Sequence, residues 1–350
     1  MVNQGGSHTD RSAMKLYMCD LNWSFVKKEG TFIHTASAPQ DWCDVDAEEY
    51  FHWHRNMGCT PIFMQAYTFS GYAFYPTKLG PFAPGKGSSL LPRLYELARQ
   101  HDMPFCSYFC VGTDLVMSNL RNHWVVPDSR PAGNGHGFLA PETEWTDLLC
   151  ERIREFLGMY PVDYLLFDWF VYGDLRPDSY TIKPAWYMKQ PFLEIIGRTL
   201  PESAADITAE ENLRYKREIM ARQFHRIRDA VKQTSPNTRI MFNVPYWNAN
   251  EALWEGHPMM NESDLLFAES SKENVLDWLL KVRKPGQGVM TTIIGRLEEG
   301  ECDPYSWEKW HEKGCDFFGY TWGVPPEFRP HSIYERDLNI IRDAFRKMDG

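Results

Sequence analysis

The chain alternates short, almost wholly apolar runs with longer segments whose apolar residues recur at helical spacing. The apolar runs fall at residues 16–24, 60–67, 104–111, 164–167, 239–244, 264–270, 288–294 and 315–322. Blocks of this length and composition read as strands buried on both faces of a parallel sheet. Between them, the periodicity predicts helices over 46–58, 89–101, 143–158, 208–234, 273–283, 305–314 and 331–348. Local chemistry supports several of these starts. Asp46-Ala-Glu-Glu49 places acids in a first turn, where they suit the helix dipole. Thr143 is a plausible N-cap, and Thr208-Ala-Glu-Glu211 is a capping-box pattern.

Eight such strands alternating with helices, with no polar linker long enough to divide them, predict one α/β domain. The expected architecture is a (β/α)8 TIM barrel over residues 15–350, preceded by a disordered or extended segment, 1–14. The connections after strands two, three and four (68–88, 112–141 and 171–209) are long and carry many Gly, Pro and aromatic residues. Long loops of that kind on a barrel's upper rim are commonly functional, and the third reads as a lid or an inserted short helix. No internal repeat at solenoid spacing interrupts the pattern.

Composition narrows the partners. A formal charge of −10 argues against nucleic acid or an anionic membrane as the main partner. The 13 Trp, 17 Tyr and 21 Phe exceed what a core needs, and carbohydrate clefts or an interface such as a homodimer would use the surplus. The eight cysteines form no CxxC and no Cys/His cluster, which fits reduced core thiols better than a disulfide frame or zinc site. His52 and His54, two apart on a helix, face different sides and make a poor metal pair. No cofactor is implied. Residues 1–14 contain no apolar leader and no stretch reaches the length of a membrane span, so a cytoplasmic location is expected.

A barrel gathers its strand C-termini on one rim, so residues there meet in space. The fourth run ends in Asp168 and Trp169. A carboxylate can attack or stabilise an oxocarbenium-like centre, and a flat indole offers an apolar face to a pyranose ring. The plainer alternative has Asp168 capping a loop and Trp169 filling core. The other strand ends contribute Asp20, Asn22 and Trp23; Gln65 and Tyr67; Asp114; Asn243, Tyr246 and Trp247; Glu269; Arg296; Tyr320 and Trp322. These strand ends lack histidine, against a metal enzyme, and the loop after Trp322 is Pro-rich, against a phosphate site. A glycoside hydrolase acting on an oligosaccharide or other glycoside is the best-supported reading.

Four stretches carry a family resemblance. Residues 71–80 (GYAFYPTKLG) with 90–114, then His123-Trp124, then 160–169, resemble the glycosyl hydrolases related to α-L-fucosidases. The likeness runs over most of 16–322 and is most specific from 71 to 168. It implies the same barrel and a retaining mechanism in which the aspartate ending strand four, here Asp168, is the nucleophile. The acid/base varies in position among such proteins. Glu269 is taken for that role as the clearest carboxylic acid ending a later strand, with a salt-bridged rim residue as the competing reading. Trp169, Trp247 and Trp322 would form stacking walls, Asn243, Gln65 and His123 would bind hydroxyls, and Asp20, Trp23 and Tyr67 would complete the lining. Two departures from that pattern stand out, and the first bears on the sugar. The His-His-Asp-Gly run that follows strand two in fucosidases, whose histidines contact the fucose in such proteins, is Thr68-Phe69-Ser70-Gly71 here. The C-terminal β-sandwich of typical fucosidases is not expected within 15–350, which the barrel fills. A fucoside-like or galactoside-like terminal sugar is therefore expected, without a choice between them.

Two other functions remain open at this point. One is an inverting glycosidase on an acidic, sialic-acid-like sugar, using Asp20 with His123 or His136 and Arg121, Arg130 or Arg296 as cationic partners. The other is a carbohydrate-binding barrel without catalysis.

Overall fold

A computed structural model describes residues 13–28, 31–36, 38, 40–129, 137–174, 180–244, 251–270, 272–294, 307–324, 329–330 and 335–348. The strands in chain order are β1 (Lys15–Asp20), β2 (Trp23–Lys28), β3 (Thr31–Ala36), β4 (Ile62–Tyr67), β5 (Phe105–Cys110), β6 (Tyr164–Asp168), β7 (Arg239–Asn243), β8 (Leu265–Ala268), β9 (Gly288–Ile294), β10 (Asp316–Val324) and β11 (Arg329–Pro330). Eight of them form one parallel sheet in the order β1-β10-β9-β8-β7-β6-β5-β4. Its two ends meet at the bottom, where Lys15 and Thr60 exchange backbone hydrogen bonds of 2.8 and 2.9 Å. The result is a nearly closed (β/α)8 barrel.

The helices are α1 (Ala47–Asn56), α2 (Gly87–Gln100), α3 (Leu115–Leu120), α4 (Trp145–Met159), α5 (Lys189–Ile196), α6 (Ala209–Thr234), α7 (Glu251–Trp254), α8 (Pro258–Glu262), α9 (Glu273–Val282), α10 (Trp307–Glu312) and α11 (Glu335–Lys347). Asp46 caps α1 by accepting from the Glu49 N–H, and Thr208 with Glu211 forms a complete capping box on α6. Thr143 sits just ahead of α4, its hydroxyl accepting from the Trp145 N–H at 3.3 Å.

Strand alternation sorts the apolar residues into two layers. Leu16, Met18, Phe63, Cys106, Tyr108, Leu166, Met241, Leu265, Phe267, Met290 and Phe318 fill the barrel interior. Their chain neighbours, such as Tyr17, Phe109, Leu165, Phe167 and Phe242, pack outward against the helices. Met14 joins the interior layer, and its N–H donates to Asp316 Oδ1 at 2.8 Å, so the ordered barrel has begun by that residue. The rest of the segment expected to be disordered or extended, 1–12, lies outside the described residues.

The structure differs from the sequence expectation in detail. The first strand stops at Asp20, turns at Leu21 and Asn22, and leads into the antiparallel hairpin of β2 and β3, a stretch expected to be loop. The segments between barrel strands also hold the unexpected short helices α3, α7 and α8, whereas α5 is the inserted short helix expected within 171–209. His54 is fully buried while His52 is exposed, as their spacing requires. The seven described cysteines carry no disulfide. No described helix is long and apolar enough to cross a membrane.

Candidate active site

At the upper end of the barrel, alternation turns Asp20, Gln65, Tyr108, Asp168 and Asn243 to the inner face, each directly above an interior apolar residue of its own strand. They share one hydrogen-bond network. Asp168 Oδ1 accepts from the Trp169 N–H at 2.7 Å and from Asn243 Nδ2 at 2.9 Å, while Oδ2 accepts from the Tyr108 hydroxyl at 3.1 Å. Tyr108 in turn accepts from Asn22 Nδ2 at 3.2 Å, and Asn22 Oδ1 accepts from the Phe69 N–H at 2.8 Å. On the β1 side, Asp20 Oδ1 accepts from the Asn22 N–H at 3.0 Å and from Gln65 Nε2 at 3.2 Å. Gln65 Oε1 is held by the Leu21 N–H at 2.6 Å. The chain of contacts therefore runs from β1 through β4, β5 and β6 to β7.

Backbone geometry sets the donor on Asp168. Trp169 adopts φ of 57°, a left-handed conformation that a non-glycine residue takes only at a cost. This bend lets its N–H reach back to the preceding carboxylate. It also brings the Trp169 carbonyl against Gly112, where an added Cβ would lie 2.2 Å from the oxygen. Glycine at 112 is thus required by close approach. The Val111 N–H donates to the Asp168 carbonyl at 2.8 Å and fixes the two loops together.

Burial pushes the Asp20 carboxyl up to about 7, with the Asp168 charge adding to the rise and the Asn22 and Gln65 donors opposing it. Burial also raises Asp168, opposed by its bonds from Trp169, Asn243 and Tyr108. Two buried carboxyls this closely linked resist joint ionisation, so charge on Asp168 favours the protonated form of Asp20.

The other expected site residues fall in different places. Gln65 is fully buried beneath Asp20 and Leu21, so its amide orients the carboxyl above it. Tyr67 is a correction: the β4–β5 register slips between Gln65 and Tyr67, and the bulge turns this side chain out of the cup into the helix layer. There its hydroxyl donates to Thr77 at 3.1 Å and the Arg152 guanidinium lies 4.4 Å from its ring centre. His123 is exposed on a short turn after α3, its ring 6.4 Å from that of Trp186, and it makes no contact with the network. Glu269 is half-buried and immediately follows β8, continuing the inward alternation of Leu265 and Phe267. Trp169 is half-buried between Phe69 and Phe138, with ring centres 5.9 and 6.2 Å away. Trp23 begins β2, and Trp322 in β10 is the register partner of Asp20. Trp247 and His136 lie outside the described residues, as do Arg130, Tyr246 and Arg296. Asp114 caps α3 and forms a buried ion pair with Arg152 at 2.7 Å, a structural role. Among the described residues no group of His, Cys, Asp and Glu is placed to hold a metal.

Tyr108 is the residue that the pattern of strand ends did not single out. It lies two positions before the end of β5, and a signal existed: Cys106, Tyr108 and Cys110 alternate onto one face.

Set against solved structures, the chain superposes over 97% of its length on 49% of α-L-fucosidase isoenzyme 2 from Paenibacillus thiaminolyticus, with a TM-score of 0.71 and 15% identity. The fold is fucosidase-like. The unliganded α-L-fucosidase AlfC from Lactobacillus casei is similar at a TM-score of 0.50 and 14% identity, over 90% of this chain and 82% of that one. The chain thus spans about half the length of the first of these fucosidases. No family model matches it, and no curated protein does. In this fucosidase-like barrel the Asp168 network occupies the strand C-termini, the end at which barrels of this architecture carry their sites.

Proposed function

We propose that the protein is a glycoside hydrolase that releases a terminal fucoside-like or galactoside-like sugar with retention of configuration. The observation that carries this reading is the Asp168 carboxylate, held by three donors at the C-terminal rim of a fucosidase-like barrel. Oδ1 already accepts two hydrogen bonds and Oδ2 one, so Oδ2 keeps the lone pair that attacks the anomeric carbon. As the bond from Oδ2 to that carbon forms, the bond to the leaving oxygen breaks, and Glu269 passes its proton to that oxygen. Water then attacks the same carbon, Glu269 takes the water's proton, and the glycosyl ester to Asp168 is cleaved. A retaining site needs its two carboxyls about 5–5.5 Å apart, against about 6.5–9.5 Å for inversion. Trp169 supplies a half-buried indole beside the nucleophile, and Trp23, Trp247 and Trp322 are the further candidates for stacking on the sugar.

One observation favours a second reading. Asp20, kept protonated up to about pH 7 by burial, could serve as the acid in place of Glu269, in an inverting reaction. Hydrolysis of aryl fucosides, galactosides, arabinosides and sialosides by wild type, Asp168→Asn, Glu269→Gln and Asp20→Asn separates the two, with the first-formed anomer read by NMR. Retained product with activity lost in Asp168→Asn and Glu269→Gln supports the double displacement. Inverted product, or full activity in Asp168→Asn, refutes it. Binding of a sugar without turnover returns the barrel to a carbohydrate-binding role.

A further inference from the structure

The two ends of the Asn243 amide are unequally served. The residue is 3% exposed, Nδ2 donates to Asp168 Oδ1 at 2.9 Å, and Oδ1 is buried with no partner among the described residues. The orientation is forced. An ionised carboxylate only accepts, so the amide must turn its NH2 toward Asp168 and its carbonyl oxygen away. Met241 lies below it on the same inward face of β7, so the side chain belongs to the cup and not to the helix layer. A buried acceptor left without a donor is costly, and where the site is a cup the missing donor comes from what fills it.

Reach identifies that donor. Resting on the reading of Asp168 as nucleophile, the anomeric carbon sits at Asp168 Oδ2, while Asn243 is anchored on the other oxygen of the same carboxylate. The free carbonyl oxygen is thus one amide group away from the line of attack. The hydroxyl on the ring carbon next to the anomeric carbon is the sugar donor nearest the point of attack, and so the first one that an amide fixed to this carboxylate meets. We infer that Asn243 Oδ1 accepts a hydrogen bond from the hydroxyl adjacent to the anomeric carbon, so that the site takes pyranosides bearing a free hydroxyl there. Sugars with a CH2 at that position, sialosides among them, leave the acceptor unpaired and are rejected. As positive charge develops on the ring, the neighbouring hydroxyl becomes a better donor, so the contact strengthens in the transition state.

The test pairs substrates with a variant. kcat/KM is measured for 4-nitrophenyl α-L-fucopyranoside and β-D-galactopyranoside, each against its 2-deoxy counterpart, in wild type and Asn243→Ala. Asn243→Ser stands in if the alanine variant does not fold. The expected result is a preference for the 2-hydroxy substrate that shrinks by roughly 10- to 100-fold in the variant. Intrinsic substrate reactivity and general damage to Asp168, which loses a donor, cancel in this comparison of ratios. A preference that is the same in wild type and variant overturns the inference and assigns the orphan oxygen to a bound water. If wild type hydrolyses no aryl glycoside, the hydrolase reading falls separately, and saturation-transfer NMR compares L-fucose and D-galactose with their 2-deoxy forms. An Asn243-dependent preference in binding upholds the inference, and equal binding or none overturns it.

Discussion

The Tyr108 hydroxyl donates to Asp168 Oδ2 across 3.1 Å while accepting from Asn22 Nδ2 at 3.2 Å. Through this one group the strand carrying the carboxylate is tied to the turn after β1. Its bond lowers the Asp168 pKa against the rise from burial. Tyr108→Phe therefore moves the acidic limb of kcat/KM to higher pH and lowers kcat by roughly tenfold or more. A full pH profile on an aryl glycoside checks it, and an unmoved acidic limb would count against any link between the two groups.

Asp20 makes the opposite contribution to stability from a salt-bridged carboxylate. Its folded pKa is raised to about 7, so between the ordinary carboxylate range and pH 7 the folded chain holds a proton that the unfolded chain has lost. Stability from this group is present at low pH and is lost as pH rises through that window. Asp20→Asn is expected to be more stable than wild type at pH 8, by up to about 4 kcal/mol at about 1.4 kcal/mol per pH unit. The two should be equal near pH 4. Urea unfolding at both pH values reads the difference.

Gly112→Ala drives a methyl group into the Trp169 carbonyl. Relief requires the left-handed turn to move, and the N–H on Asp168 Oδ1 moves with it. The expected cost is about 1–3 kcal/mol of stability together with a loss of kcat, measured by denaturant melts and turnover of the same preparation.

The Arg152 and Asp114 side chains are 1% and 3% exposed and 2.7 Å apart. Asp114→Ala strands a buried guanidinium and uncaps α3, and is expected to cost about 3–5 kcal/mol. Adding Arg152→Met removes the stranded charge and should recover part of that loss. The double-mutant cycle in urea gives the coupling, and an additive result would show that the pair contributes nothing jointly.

Much of the barrel is legible in the chain because each strand is buried on both faces and so reads as an unbroken apolar run. The first polar residue after such a run marks the rim, which is how Asp20, Asp168, Asn243 and Glu269 stand out. What the runs hide is facing. Tyr67 ends β4 as Asp168 ends β6, yet a one-residue bulge reverses it, and no local composition announces that slip. Tyr108 is hidden for the converse reason, since an aromatic inside an apolar run looks like core until a partner for its hydroxyl is known. The β2–β3 hairpin is obscured because Lys27 and Lys28 end β2 and polar residues flank the short apolar pair Phe32 and Ile33 in β3. Trp169 gives no hint in composition of its positive φ, because that conformation is imposed by the contacts around it.

The left-handed bend at Trp169 separates two things that mutation can change. The N–H that steadies Asp168 belongs to the main chain, so any residue other than proline that tolerates the left-handed turn can supply it. The half-buried indole, by contrast, can be exchanged for a smaller or more polar group that presents a different surface at the rim. Drift at position 169 can therefore reshape the rim of the barrel while the hydrogen bond that holds the Asp168 carboxylate stays in place.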